Sequence, residues 1–312
     1  MPDILATFRR HESVINAATM AFERAVQLDQ RPAAVAEALE AIGSPFLSRV
    51  WPIIAPHTMC DVFRAASLVR RAEEALALPG DFIECGVAGG GFSLLLGLLV
   101  KEHGANRTVW MCDSFEGLPA PDRMYDRGYD EGEFRHGQSE VEALMKAHGV
   151  DGICRTVPGW FSDTLPGLLA GRRLALAHID GDLHSSCRDA LRCIYPAMLP
   201  GGAIIADDYL DGSGGALAAL NAYVAESGEP IRIGPCSQVT VIVGEGAGAD
   251  AFEMAFDARG RPGRGGATVR WTFADIEAFP AYLDFLNGVA NHWAHRVDLF
   301  QAFVGERMGH RG

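Results

Sequence analysis

The sequence predicts an α/β protein whose largely parallel sheet alternates with helices. Short apolar runs of strand length end in acids or glycines and are each followed by a segment of helical spacing. A glycine-rich turn follows the first run, and residues 171–211 read as a strand–helix–strand unit. In that unit Leu174–Ile179 and residues 203–206 suit buried parallel strands. Residues 185–198 form the crossover helix, stopped by Pro200-Gly201-Gly202. A right-handed crossover makes the two strands parallel. Asp180 and Asp182 after the first strand, and Asp207 and Asp208 after the second, then meet at the carboxyl edge, where open parallel sheets bind ligands.

Carboxylates gathered at one edge repel unless they are protonated or share a cation. Oxygen ligands with open positions suit Mg²⁺, with Mn²⁺ or Ca²⁺ as lesser alternatives. Capping of the following helix is the competing account of Asp180 or Asp207 taken singly.

Taken in order, residues 1–78 read as a helical cap or oligomerisation segment. Their apolar spacing at 15–28 and 62–78 is broken at Ser44-Pro45 and from Trp51-Pro52 to Pro56. His57-Thr58-Met59 stands just ahead of the core, placed to fold over a bound ligand. The core, 79–245, opens with a strand at 82–87, then Ala88-Gly89-Gly90-Gly91 and a helix at 92–103. Such a turn lets a ligand approach the backbone near a helix N-terminus. Its spelling, Glu84-x-Gly86-x-x-Gly89, is not the GxGxxG of dinucleotide binding, and the acid suits a ligand with an ammonium group better than a pyrophosphate. The second strand, 108–112, ends in Asp113-Ser114, and an acid there can accept ribose hydroxyls.

Residues 121–138, polar and without period, are expected to form a lid, with Tyr125, Tyr129, Phe134 and His136 within reach of substrate. A helix at 139–148 and a strand at 153–157 lead to Trp160-Phe161, an aromatic pair able to flank a flat base. A helix at 214–227 and strands at 231–233 and 238–243, the last antiparallel, close the sheet. Residues 246–312 are broken by glycine-rich stretches and then helical in pattern at 273–303, which predicts a C-terminal helical extension; His292, Trp293 and His295 are assigned to its surface and packing.

A net charge of −13 disfavours nucleic acid as a partner and fits a cation-dependent enzyme of small molecules. The N-terminus has no signal-peptide pattern, and the longest apolar run, 92–100, is too short to span a bilayer. Seven cysteines without a CxxC pair point to a reducing, cytoplasmic setting.

From about residue 58 to 243 the chain resembles the macrocin O-methyltransferase family, through PGDFIECGVAGGG, VWMCDSFEGLPAPD, VPGWFSDTLP, IDGDLHSS and GGAIIADDY in that order. The resemblance implies the class I methyltransferase fold, Rossmann-like, with seven strands of which the last is antiparallel. It implies a metal-dependent transfer from S-adenosylmethionine (SAM) to a hydroxyl of a small molecule, a sugar or a glycosylated natural product. It assigns Glu84, Gly86, Gly89 and Asp180 to the SAM site, Asp113 and Ser114 to its ribose end, Trp160 and Phe161 to the adenine, and Thr58 and Met59 to the methionine end. Asp180, Asp207 and Asp208 match the metal ligands and Asp182 the general base, with His184 as second choice. Where the family has a tryptophan and a basic residue after the first strand's glycine (GVWRGG) this chain has Val87-Ala88-Gly89, and His184 stands in place of a tyrosine. Together with the helical ends, the resemblance favours a homo-oligomer. Catechol-like or other diol acceptors and a non-catalytic SAM-binding protein are the alternatives; a nicotinamide-dependent dehydrogenase is disfavoured by the glycine spelling.

Overall fold

The computed structural model describes residues 32–209, 214–235, 238–246, 252–256, 267–272 and 275. It begins with α1 (Pro32–Ile42), α2 (Pro45–Ile54), a short 3₁₀ turn (Ala55–His57) and α3 (Val62–Ala75). The core follows as β1 (Asp81–Cys85), α4 (Gly91–Glu102), β2 (Val109–Asp113), α5 (Gln138–Ala147), β3 (Cys154–Pro158), α6 (Phe161–Leu169), β4 (Leu174–Ile179), α7 (His184–Ile194), β5 (Met198–Ala206), α8 (Gly215–Ser227), β6 (Ile231–Ile233) and β7 (Val239–Ile242). Two further strands, β8 (Phe252–Phe256) and β9 (Ala267–Thr272), complete the sheet. The expected helix at 15–28 and the helical pattern at 273–303 lie outside the described residues, Asp275 excepted.

The sheet order is β3-β2-β1-β4-β5-β7-β6-β9-β8. Strands β1 to β5 pair in parallel, and β7 runs antiparallel to β5 and β6, as expected. Both faces are covered. Phe82, Val109 and Met111 face α2, α3 and α4, whereas Ile83, Cys85 and Cys112 face α6, α7 and α8. Burial on two faces is why these strands read as continuous apolar runs rather than as alternating ones.

Three expectations need correction. The sheet has nine described strands, not seven, because residues 246–312 contribute β8 and β9 beyond β6. The alternation of β9, with Val269 and Trp271 buried, is a strand signal that the neighbouring glycines obscured. The break expected from Trp51-Pro52 to Pro56 begins later than its first residues: α2 runs through Pro52 to Ile54, and the 3₁₀ turn follows. A proline so near a helix end forfeits one backbone hydrogen bond, and burial of Phe46, Leu47, Val50, Trp51 and Ile54 on the same helix outweighs it. Finally, Pro200-Gly201-Gly202 is a bulge inside β5 and not a stop before it. Leu174 pairs with Met198 and Leu176 with Ala203, while Gly201 and Gly202 bond Val243.

The helical cap is tied to the sheet by Arg107. Its guanidinium donates to the carbonyls of Ala75, Leu76, Leu78 and Gly80, at 3.0 to 3.2 Å, and lies over the Phe82 ring. These carbonyls belong to the C-terminal end of α3 and to the loop that leads from it into β1. Arg107→Met keeps most of the apolar stem and removes the donors; it is expected to lower the unfolding free energy by about 2–4 kcal/mol in urea titrations, and an unchanged midpoint would exclude the clamp.

Candidate active site

Strand register places the site. Cys85 pairs with Cys112 and Ile179, and Ile179 with Ala206, so Gly86, Asp113, Asp180 and Asp207 stand in one row at the carboxyl edge. Gly86 has φ 92°, and a Cβ there would fall 1.7 Å from the Asp180 carbonyl oxygen; only glycine lets β1 and β4 end this close together. Above the row, a cavity of about 420 Å³ is lined on one side by Gly86, Asp113, Ser114, Trp160 and Phe161. Asp180, Asp182 and Asp208 line the other side. Met59 lies at the rim, 68% exposed.

The acids gather as the strand ends predict. Asp180, Asp182 and Asp208 each offer an oxygen within 4.8 Å of the others, and Asp180 and Asp207 do so with the Cys60 sulfur. Asp182 and Asp208 hold left-handed backbone, φ 52° and 58°, a conformation aspartate tolerates better than most residues. Burial first, then the charges of Asp208, Asp207 and Asp182, pushes the Asp180 carboxyl well above its ordinary range. Burial also raises Asp208, against the pull of Arg64. Such a donor set, all oxygen and short of positive charge, fits a divalent cation.

Asp207 behaves differently. Burial would raise it, but His178, Arg64 and Gln238 together hold it at about 2. Its Oδ2 meets His178 Nε2 at 3.1 Å and its Oδ1 accepts from Gln238 Nε2 at 2.7 Å. The other ring nitrogen of His178, Nδ1, lies 3.0 Å from Glu84 Oε1. Burial pulls the His178 pKa down, but the two acids raise it well above its usual value, so the ring carries both protons and bridges them. Glu84 also accepts from the Ser93 hydroxyl and does not line the cavity. It is held beneath the floor, as is Asp207.

The remaining assigned residues fall as follows. Asp113 lines the cavity, with Oδ2 accepting the Val87 and Ala88 N–H groups (2.7 and 3.2 Å) and Oδ1 that of Phe115 (2.7 Å), so it also shapes the glycine loop. Thr58 and Gly89 sit behind the wall. A Cβ on Gly89 would meet the His57 carbonyl oxygen at 2.8 Å, and Thr58 Oγ1 accepts from Cys60 N–H. The His184 ring is stacked on Tyr125, with centroids 3.8 Å apart, and is absent from the cavity lining; burial lowers its pKa, with Arg188 adding to the effect. Of the expected lid residues, Tyr129 and Phe134 line the cavity.

Sequence reasoning missed Cys60, Arg64 and His178. Arg64 Nη1 lies 3.6 Å from Asp208 Oδ1 and 3.9 Å from Asp207 Oδ2. The thiol of Cys60 faces Asp207 Oδ2 at 3.5 Å, and burial followed by the nearby acids raises its pKa well above normal. A signal existed for two of them. Arg64, Ser67 and Arg71 follow helical spacing on a buried face, and His178 interrupts the apolar run LALAHI; an ionisable group in such a place needs a partner.

Sheet order, antiparallel seventh strand, glycine loop and acidic strand ends together define a class I methyltransferase fold. The chain belongs to the macrocin-O-methyltransferase (TylF) family, whose profile matches residues 8–232. The 8-demethyl-8-(2,3-dimethoxy-alpha-L-rhamnosyl)-tetracenomycin-C 4'-O-methyltransferase of Streptomyces olivaceus is 41% identical over 174 residues, 52% of this chain and 66% of that protein. The mycinamicin III 3''-O-methyltransferase of Micromonospora griseorubida is 35% identical over 172 residues, 51% of this chain and 67% of its own. The chain thus spans about two thirds of the length of the curated relatives it matches. Among solved structures, the O-methyltransferase NovP is similar with a TM-score of 0.54 at 29% identity, over 60% of this chain and 82% of that one. The calicheamicin methyltransferase CalS11 shares the fold, with a TM-score of 0.56 at 20% identity over 70% of this chain and 94% of its own.

The His178 bridge has a measurable consequence. His178→Leu would leave Glu84 and Asp207 buried without their shared partner, and breaking a buried pair in this way costs about 3–5 kcal/mol. Chemical denaturation is expected to show that loss, with His178→Gln less affected; equal stability of wild type and the leucine variant would refute the bridge.

Proposed function

We propose that this protein transfers the methyl group of SAM to a hydroxyl of a small molecule, a sugar or a glycosylated natural product, with a divalent cation, Mg²⁺ first and Mn²⁺ or Ca²⁺ after it. One observation carries the reading. A single cavity is walled by glycine-loop and aromatic residues on one side and by Asp180, Asp182 and Asp208 on the other, so donor and acceptor can meet in line. The relatives that methylate a rhamnosyl-tetracenomycin C and mycinamicin III support the acceptor class.

The chain's own groups then have separable tasks. The glycine loop, shaped by Asp113, offers backbone close to the donor, and Trp160 and Phe161 present aromatic faces to its base. Holding two reactants in line can lower a barrier by about 7–11 kcal/mol. Asp180 and Asp208 would hold the cation; Asp207, which the family resemblance also assigns to it, has both oxygens engaged beneath the floor by His178 and Gln238 and would support the site from there. When bound, the cation would lower the pKa of an acceptor hydroxyl. Asp182 accepts the hydroxyl proton. It is preferred to His184 because it lines the cavity, whereas the histidine ring is stacked on Tyr125. Arg64 and His178 offset part of the negative charge around the site.

The reading includes a reducing, cytoplasmic location, supported by six free cysteines among the described residues. Among the described residues no helix is long and apolar enough to cross a membrane. It also includes a homo-oligomer, supported by the helical N-terminal part and open to light scattering. A small hydroxylated molecule, not nucleic acid, is the partner.

Calorimetry with SAM and with NAD, each with and without Mg²⁺, separates this reading from a dehydrogenase, and labelled SAM screened against glycosylated metabolites and catechols identifies the acceptor. Asp208→Ala is expected to abolish metal-dependent turnover while leaving SAM affinity largely intact; undiminished turnover of that variant in the presence of chelator would falsify the cation's role. Asp182→Asn is expected to lower turnover about 10²–10⁴-fold without loss of SAM binding, the usual loss of a general base.

A further inference from the structure

The loop after β2 is closed at a neck. Leu118 N–H donates to the Glu133 carbonyl and Gly132 N–H to that of Leu118, each at 2.9 Å. Gly117, at φ 88°, has backbone oxygens of residues 132 and 133 where a Cβ would stand. Beyond the neck most side chains are at least partly exposed, but Asp126 is 1% exposed. Its Oδ2 accepts the N–H of Asp122 within the loop, at 2.8 Å. Its Oδ1 leaves the loop and accepts the N–H of His184, also at 2.8 Å.

His184 is the first residue of α7, and the side chain at that helix's own N-cap, Leu183, makes no capping bond. A helix N-terminus presents unpaired N–H groups and partial positive charge. Asp126 supplies the cap from 58 residues away. Around it the fit is close. Tyr125 stacks on His184 with an interplanar angle of 9°. A Cβ on Gly215, at the start of α8, would meet Asp126 Oδ1 at 2.3 Å, His184 N at 2.8 Å and the Asp182 carbonyl oxygen at 3.0 Å. One carboxylate therefore joins the loop to the first turn of α7, two residues past Asp182, and the glycine that opens α8 packs closely against that bond.

We propose that Asp126 is a positioning residue: by capping α7 from the loop, it holds Tyr129, Glu133 and Phe134 as a closed wall over the cavity. The tie depends on no bound metal, and it rests on the methyl-transfer reading only for what the wall encloses. Its test is limited proteolysis of the full chain by trypsin, well below the unfolding temperature, with cleavage mapped by mass spectrometry. Arg123 and Arg127 flank Asp126 and are exposed; Arg155, on edge strand β3, is an exposed control outside the loop. S-adenosylhomocysteine binding by calorimetry reports on the rest of the fold.

Asp126→Ala is expected to speed cleavage after Arg123 and Arg127 about fivefold or more, as loss of a cap raises local opening. Cleavage at Arg155 and S-adenosylhomocysteine affinity should hold. Asp126→Asn keeps one carbonyl oxygen for the His184 N–H and should fall between the alanine variant and wild type, a rescue that a general loss of stability would not produce. Should the alanine variant fail to fold, the asparagine variant decides alone: faster loop cleavage with normal cofactor-product binding supports the tie. Wild-type protection of the loop in the folded variants, or acceleration at Arg155 equal to that in the loop, overturns it. If wild-type protein does not bind S-adenosylhomocysteine, the donor assignment fails and the loop result still stands or falls on its cleavage rates.

Discussion

The arrangement of this protein depends on how a buried sheet edge tolerates a concentration of negative charge. Asp180, Asp182, Asp207 and Asp208 converge there because β4 and β5 are adjacent, parallel and in register at their ends. Left alone, such a group would oppose folding. Two counter-charges arrive from opposite directions: His178 from beneath, inside β4, and Arg64 from α3 of the helical cap. His178 acts on Asp207, and Arg64 on both Asp207 and Asp208. Asp180 and Asp208 keep raised pKa values, so the unmet demand for positive charge is directed into the cavity and not into the core.

His178 also joins the two halves of the site. Its ring touches Glu84 at the end of β1 and Asp207 after β5, and so spans the three central strands. Glu84 reads from sequence as an acid facing a ligand's ammonium group, yet its carboxylate points to Ser93 and His178. The side that faces the cavity is made by glycine backbone, Asp113 and the Trp160-Phe161 pair. The glycine-loop wall and the acid wall thereby adjoin at strand ends that glycine alone allows to come so close.

Much of the core was legible because local pattern and tertiary role agree. The β4–α7–β5 unit, the glycine loop and the antiparallel β7 are set by apolar runs, turn residues and the handedness of crossovers. Legibility fell where long-range packing overrode local signals. Pro52 looks like a helix breaker but sits in a helix whose apolar face is buried, and Pro200-Gly201-Gly202 looks like a stop but bulges within β5. His184 has the right chemistry for a base, and only the fold shows Tyr125 lying flat against it.

The sequence by itself determined the α/β class, the parallel pair of strands that carries the acids and the residue types at the strand ends, since these follow from periodicity, chain connectivity and crossover handedness. Tertiary structure alone decided which acids face the cavity, which are neutralised by His178 and Arg64, and that a carboxylate of the loop caps a helix 58 residues later. The physical reason is that a carboxylate's role is set by the partners within about 4 Å of it, and those partners come from segments whose distance in sequence carries no information about their distance in space.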